Sequence, residues 1–156
     1  MALEFARAGE TEALAEMIRH GLPPNLADEK GNTLLMLSAY NGSCQTARML
    51  LEAGAEVDRR NRRGQTPLGG VAFKGYEDIV RLLLEYGADM DADNGGGMTP
   101  MMFAAMFGRS NVVALLKKHA EGQGRRERLG LAARLLIFLA APLRMLFGRK
   151  AVRSAV

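Results

Sequence analysis

The sequence predicts an all-α fold, a solenoid of stacked helix-turn-helix units with β-turn or hairpin tips, followed by a C-terminal basic amphipathic helix. Three observations predict it. Punctuating residues return every 33 positions: Gly31, Gly64 and Gly97, then Thr33, Thr66 and Thr99, with Asp28, Asn61 and Asn94 ahead of them. Gly9, Gly42, Gly75 and Gly108 keep the same interval, as do Gly21, Gly54 and Gly87, with Ala120 at the next step. Between these marks lie pairs of short apolar-periodic stretches, each pair split by a glycine, which is how two helices joined by a turn are written. Finally, the segment 129–147 is leucine-rich and flanked by arginines. Registers in phase at one period describe units that bury their apolar sides against each other.

The clearest unit runs over 64–91, GQTPLGGVAFKGYEDIVRLLLEYGADMD. Thr66 is placed to cap a short helix with its hydroxyl, and Pro67 fits the first turn, where no backbone N–H needs an intrahelical partner. Gly75 breaks the chain. Glu77 and Asp78 then put negative charge at the start of a second helix, whose apolar surface is Ile79, Val80, Leu82, Leu83 and Leu84. Gly87 ends it.

Earlier in the chain, 3–9 and 11–20 read as the helix pair of an N-terminal capping unit, with Leu14, Met17 and Ile18 inward and Glu4, Arg7, Glu12, Glu16 and Arg19 outward. Pro23 and Pro24 forbid helix continuation. In the next unit Leu34 stands where the template has proline, so its first helix is expected to begin less rigidly. Gly69 and Gly70 weaken the third unit's first helix by up to about 1 kcal/mol each, unless something packs very close to them. The fourth unit is methionine-rich, with Met101 and Ala105 expected in the core.

The turn pattern Asx-x-x-Gly-x-Thr-Pro-Leu, a short helix, a longer helix and a closing Gly-Ala-Asp resembles the ankyrin-repeat family. The copies read DEKGNTLLMLSAYNG with LLEAGAEVD, NRRGQTPLGGVAFKG with LLEYGADMD, and NGGGMTPMMFAAMFG with LLKKHAE. LEFARAGETEALAEMIRHGLPPN is a partial leading unit, and the overall likeness is to small bacterial ankyrin proteins. The resemblance divides the chain into a repeat domain, 1–121, with units 1–27, 28–60, 61–93 and 94–121, and a basic hydrophobic tail, 122–156. It implies a concave face built from hairpin tips and first helices that binds a partner protein, as an inhibitor or a scaffold.

Composition is that of an ordinary folded chain, 48% hydrophobic and 24% charged over 156 residues. The net charge of +4 is unevenly spread. From 121 onward eight basic residues oppose Glu121 and Glu127, which leaves the repeats slightly acidic. The basic character therefore belongs to the tail, and no nucleic-acid partner is expected for the repeats. The single cysteine, Cys44, excludes an intramolecular disulfide and reads as a small half-buried residue opening a second helix. The acidic Glu4 and Glu10 do not fit a signal peptide, so a cytoplasmic monomer is expected.

No catalytic, cofactor or metal constellation is legible. Gly95, Gly96 and Gly97 lead into Met98 and Thr99, a turn tip rather than a phosphate loop. His20 and His119 are three repeats apart, and His20 sits near a helix C-terminus where its charge complements the dipole. Ser38, Ser43, Ser110 and Ser154 have no evident base, and Asp89, Asp91 and Asp93 alternate as turn residues. The candidate binding positions are instead the basic tip Arg59, Arg60, Arg62 and Arg63, whose guanidiniums suit carboxylates or phosphates. Beside them stand Tyr40, Asn41, Gln65, Phe73 and Lys74. The resemblance adds Met98, Phe103, Met106 and Phe107 as groove positions, where flexible thioethers suit an adaptable apolar contact.

In the tail, Leu131, Leu135, Leu139, Pro142 and Leu146 form an apolar stripe on a helical projection, and Gly130, Arg134, Ala141 and Arg144 mark a narrower small or basic side. A helix over 129–147 would reach about 28 Å, near the bilayer's hydrocarbon thickness. Arg134 and Arg144 argue against a crossing, and cations on both flanks suit a helix lying on an anionic membrane surface. Two readings stay open: a cap on the fourth repeat, or a peripheral anchor on the inner face of the membrane that would make the protein a membrane-surface adaptor.

Overall fold

The computed structural model describes residues 1–124. The chain divides into a compact unit Met1–Leu116 and a second, Lys117–Val156, of which only 117–124 is described. Seven helices precede residue 107: α1 Ala2–Ala8, α2 Thr11–Arg19, α3 Leu34–Tyr40, α4 Cys44–Glu52, α5 Pro67–Lys74, α6 Glu77–Glu85 and α7 Pro100–Met106. An eighth, α8, has a described part running over 110–124. The fold is all-α, as the periodicity predicts. Between repeats the backbone makes turns, and among the described residues the only β pairing is an isolated bridge between Ala27 and Thr33.

Local chemistry sets the helix starts. Thr33, Thr66 and Thr99 are extended, and their hydroxyls accept from the amides of Met36, Gly69 and Met102 at 3.1, 3.2 and 3.3 Å. The start at Leu34 is as well defined as the two prolines, Pro67 and Pro100, make theirs. Here the hydroxyl cap and the complete burial of Leu34 supply what the proline ring supplies elsewhere. Between the helices of each pair, Gly9, Gly42, Gly75 and Gly108 hold φ of 76°, 85°, 86° and 68°. That left-handed conformation is strained for any residue with a Cβ, which is why this glycine register never lapses.

Packing follows in two layers. Helices α1, α3, α5 and α7 stack on one side, and α2, α4 and α6 on the other. A continuous apolar core runs between them, with Leu34, Leu35, Leu50, Leu68, Ile79, Leu83 and Leu116 fully buried. Each such side chain stabilises the fold by roughly 1.5–3 kcal/mol relative to exposure. The apolar surface predicted for α6 is buried throughout, while in α2 Leu14 is buried and Met17 and Ile18 are partly so. One expectation fails: Ala105 is exposed, and its neighbour Ala104 is the buried residue. Ala39 and Ala72, one and two repeats earlier, are buried because a further first helix packs on α3 and α5. No such helix covers α7 among the described residues, so the same register position there faces outward.

Turns are joined to turns as well. The amide of Arg62 donates to the carbonyl of Lys30 at 2.9 Å, and the Asn61 carboxamide donates to Asn32 Oδ1 at 2.9 Å. On the other side of the stack Asn25 accepts from the amide of Glu56 at 2.8 Å, and Asp58 accepts from that of Asp89 at 3.1 Å.

Candidate functional site

First helices and turns together leave one face of the stack open as a groove of about 610 Å³. Its floor is apolar, from Met36 and Leu37 on α3 to Phe103 on α7, and its rim carries Glu29, Lys30, Arg62 and Arg63 from the turns. Three aromatic rings cross it. Tyr40 and Phe73 lie parallel with centroids 6.5 Å apart, and Phe107 meets Phe73 edge-on at 4.5 Å. The ammonium of Lys74 sits 4.5 Å from the Tyr40 ring centre, a cation–π contact. Tyr40 and Phe107 remain 43% and 45% exposed, so the row offers ring surface that the chain itself does not cover.

The basic tip divides in two. Arg59 is drawn back to Glu56, with Nη1 3.4 Å from the carboxylate, and Arg60 donates to the carbonyls of Gly64 and Asp93, which ties two turns together. Arg62 and Arg63 line the groove and form no ion pair among the described residues. Four guanidiniums close in sequence thus give two that face a ligand. Of the other predicted positions, Tyr40, Gln65, Phe73, Phe103 and Phe107 also line the groove. Asn41 does not, since its carboxamide donates to the carbonyl of Leu37 at 2.8 Å and closes the end of α3. Lys74 touches the site through Tyr40 alone, and Met98 and Met106 are not among its lining residues. Met106 is 59% exposed.

Sequence reasoning missed Met36, Leu37 and Asn94. The first two occupy a repeat position that stepping forward by 33 from Met36 would have found, since it leads to Gly69 and then Met102. Asn94 carried a misleading signal. Its register mates Asp28 and Asn61 each cap their own turn, accepting from the amides of Lys30 and Asn32 and of Arg63 and Gln65. In the last turn Asp93 takes over, accepting from Gly95 and Gly97 at 2.9 Å. Asn94 is thereby released to turn inward, where it is 3% exposed. Its Oδ1 accepts from the amide and hydroxyl of Thr66 at 2.7 and 3.0 Å, and its Nδ2 donates to the carbonyl of Ala92 at 2.8 Å.

Electrostatics around these turns follow the same bonds. Burial pushes the Asp28 carboxyl up, but the Asn32 side chain, the amides of Asn32 and Lys30 and the charge of Arg7, 3.2 Å away, outweigh it and hold the group below 3.8. Asp58 goes the other way, raised chiefly by burial. Burial and the neighbouring Asp78 raise the Cys44 thiol, which leaves it a poor nucleophile at neutral pH.

Known proteins bear on this architecture. A family model described as ankyrin repeats (3 copies) matches residues 56–125, and another, ankyrin repeats (many copies), matches 17–68. The chain belongs to the ankyrin-repeat family. A Pseudomonas aeruginosa protein described as an ankyrin repeat protein is 44% identical over 46 residues, 30% of this chain. The matched stretch is 27% of that protein, so the chain spans about a quarter of the length of the curated relative it matches. Ankyrin repeats are generally protein-protein interaction modules. Among the described residues of this ankyrin stack no three His, Cys, Asp or Glu side chains group as metal ligands. No helix among them is long and apolar enough to cross a membrane. Leu131, Arg134, Leu135, Leu139, Arg144 and Leu146, read as a membrane-binding or capping face, lie outside the described residues.

Proposed function

We propose that the protein is a non-catalytic binding module that holds a partner protein in the groove formed by α3, α5, α7 and their turns, as a scaffold or by blocking the partner's own surface. The observation that carries this reading is the row Tyr40, Phe73 and Phe107, which spans three repeats with two of its rings nearly half exposed. Aromatic rings held open beside unpaired arginines have the composition of an interface centre, where Tyr, Phe and Arg concentrate binding energy. Rigidity adds to it, because the rings stand on helices locked into a stack and lose little entropy on binding.

Affinity purification with mass spectrometry tests the reading, using the wild type beside a Tyr40→Ser/Phe107→Ser variant whose melting is checked first. Proteins retained by the wild type and lost by the variant support it; an identical set from both would remove the groove from consideration. Adding Arg62→Ala/Arg63→Ala at two salt concentrations measures the charged share, which weakens with salt. Retention on anionic vesicles that disappears when the chain ends at Glu121 would instead favour the membrane-adaptor alternative.

A further inference from the structure

Adjacent glycines in α5 have opposite explanations. A Cβ on Gly69 would lie 2.0 Å from Asn94 Oδ1, so that glycine is required by the buried amide packed against it. A Cβ on Gly70 would meet only the Tyr40 ring, at an ordinary 3.4 Å. Gly70 is helical, not left-handed, and glycine inside a helix is less favourable than alanine. Nothing in the folded chain repays that cost.

What Gly70 leaves is space. The equivalent residues one repeat before and after are Leu37 and Phe103, and all three line the groove floor. Where α3 and α7 fill this row with large apolar side chains, α5 leaves a notch between them, bordered by Tyr40 and Phe73. Arg62 and Arg63 line the same groove from the turn that precedes α5.

We infer that the notch at Gly70 receives one apolar anchor residue, aromatic or leucine-sized, of a partner segment whose flanking carboxylates pair with Arg62 and Arg63. This rests on the groove reading above and gives the partner its chemistry: an acidic peptide segment with a single large apolar residue at its centre. The notch is walled by apolar carbon on four sides, so it selects size and hydrophobicity, while the two free guanidiniums select charge. Placing the missing side chain on the partner accounts for a glycine that the stack itself does not need.

The test is a random 12-residue peptide library displayed on phage and selected against the full chain, with enriched peptides remeasured by fluorescence anisotropy (library length chosen to span about three repeats' worth of groove). The expected consensus has one Phe, Trp, Tyr or Leu flanked by Asp or Glu. Gly70→Leu, which restores the side chain found in the preceding repeat, is expected to weaken those peptides roughly tenfold or more while raising the melting temperature or leaving it unchanged. Gly70→Ala is expected to melt higher than the wild type and to bind detectably less tightly. No enrichment, a consensus without an anchor, or peptides unaffected by Gly70→Leu would overturn the notch. Peptides insensitive to Gly70→Leu yet lost by Tyr40→Ser/Phe107→Ser would leave the groove reading standing; insensitivity to both would end that reading too.

Discussion

Gly69 and Gly70 show how much one carbon means at neighbouring positions. Gly69→Ala must expel the Asn94 carboxamide from a site where it makes three hydrogen bonds, two with Thr66 and one with Ala92. Leaving such buried groups unsatisfied costs about 1–3 kcal/mol, more than the gain of about 1 kcal/mol from better helix propensity. Chemical denaturation is therefore expected to show Gly69→Ala destabilised and Gly70→Ala stabilised by about 0.5–1 kcal/mol. Gly69→Ala/Asn94→Ala should lose less than the sum of the single changes, because both remove one contact; strict additivity would disprove the coupling. Asp28 supplies a second residue-scale prediction. Its folded-state pKa lies below 3.8, so the stability it contributes is present above that value and is lost as pH falls through the depressed folded value. Asn61 performs the same turn capping with an amide, so Asp28→Asn keeps the turn and discards the charge. The stability gap between wild type and Asp28→Asn is expected to be open at about pH 6 and to close towards about pH 2. A gap independent of pH would place the effect elsewhere.

At the scale of the element, identical caps are not equal. Thr66 accepts from Gly69 and also donates to buried Asn94, Thr33 is buried but makes only the cap, and the Thr99 cap lies at the exposed end. Substitution by alanine is expected to destabilise in the order Thr66, then Thr33, then Thr99, from about 2 kcal/mol down to about 0.5 kcal/mol. Equal losses at all three would show that the surroundings of the cap do not matter. These helices were legible because threonine, proline and glycine at their ends report local backbone chemistry, which a sequence states directly. The identity of the groove positions Tyr40, Phe73 and Phe107 was legible for the same reason, since a first helix of known phase must turn one side outward. What stayed hidden depended on competition between neighbours. Register alone could not say that Asp93 would displace Asn94 from its turn, or that Glu56 and Asp93 would engage Arg59 and Arg60 and leave Arg62 and Arg63 to the groove. Ala105 was misplaced because a repeat position is buried only where a next repeat exists.

Across the whole unit Met1–Leu116, stability is a chain of neighbour contacts, so its distribution follows where large side chains are fully buried. The interior repeats hold most of them: Leu34 and Leu35 in α3, Leu50 in α4, Leu68 and Val71 in α5, and Ile79, Val80, Leu82 and Leu83 in α6. The terminal first helices are thin by comparison. α1 buries only Ala2 and Ala6, and α7 only Pro100 and Ala104. Opening α1 or α7 therefore exposes little apolar surface, whereas opening α5 separates contacts on both of its sides. Native-state hydrogen exchange is expected to find the slowest amides in α5 and α6, intermediate ones in α3 and α4, and the fastest helical amides in α1 and α7. If the groove binds as proposed, a peptide selected on it should slow exchange in α7 more than in α5. Its binding free energy there adds to a small opening free energy and must first be lost before Phe103 and Phe107 can separate from the ligand. Uniform protection across all the helices, with or without peptide, would mean that the unit opens as one block and that its repeats are not the independent layers their period describes.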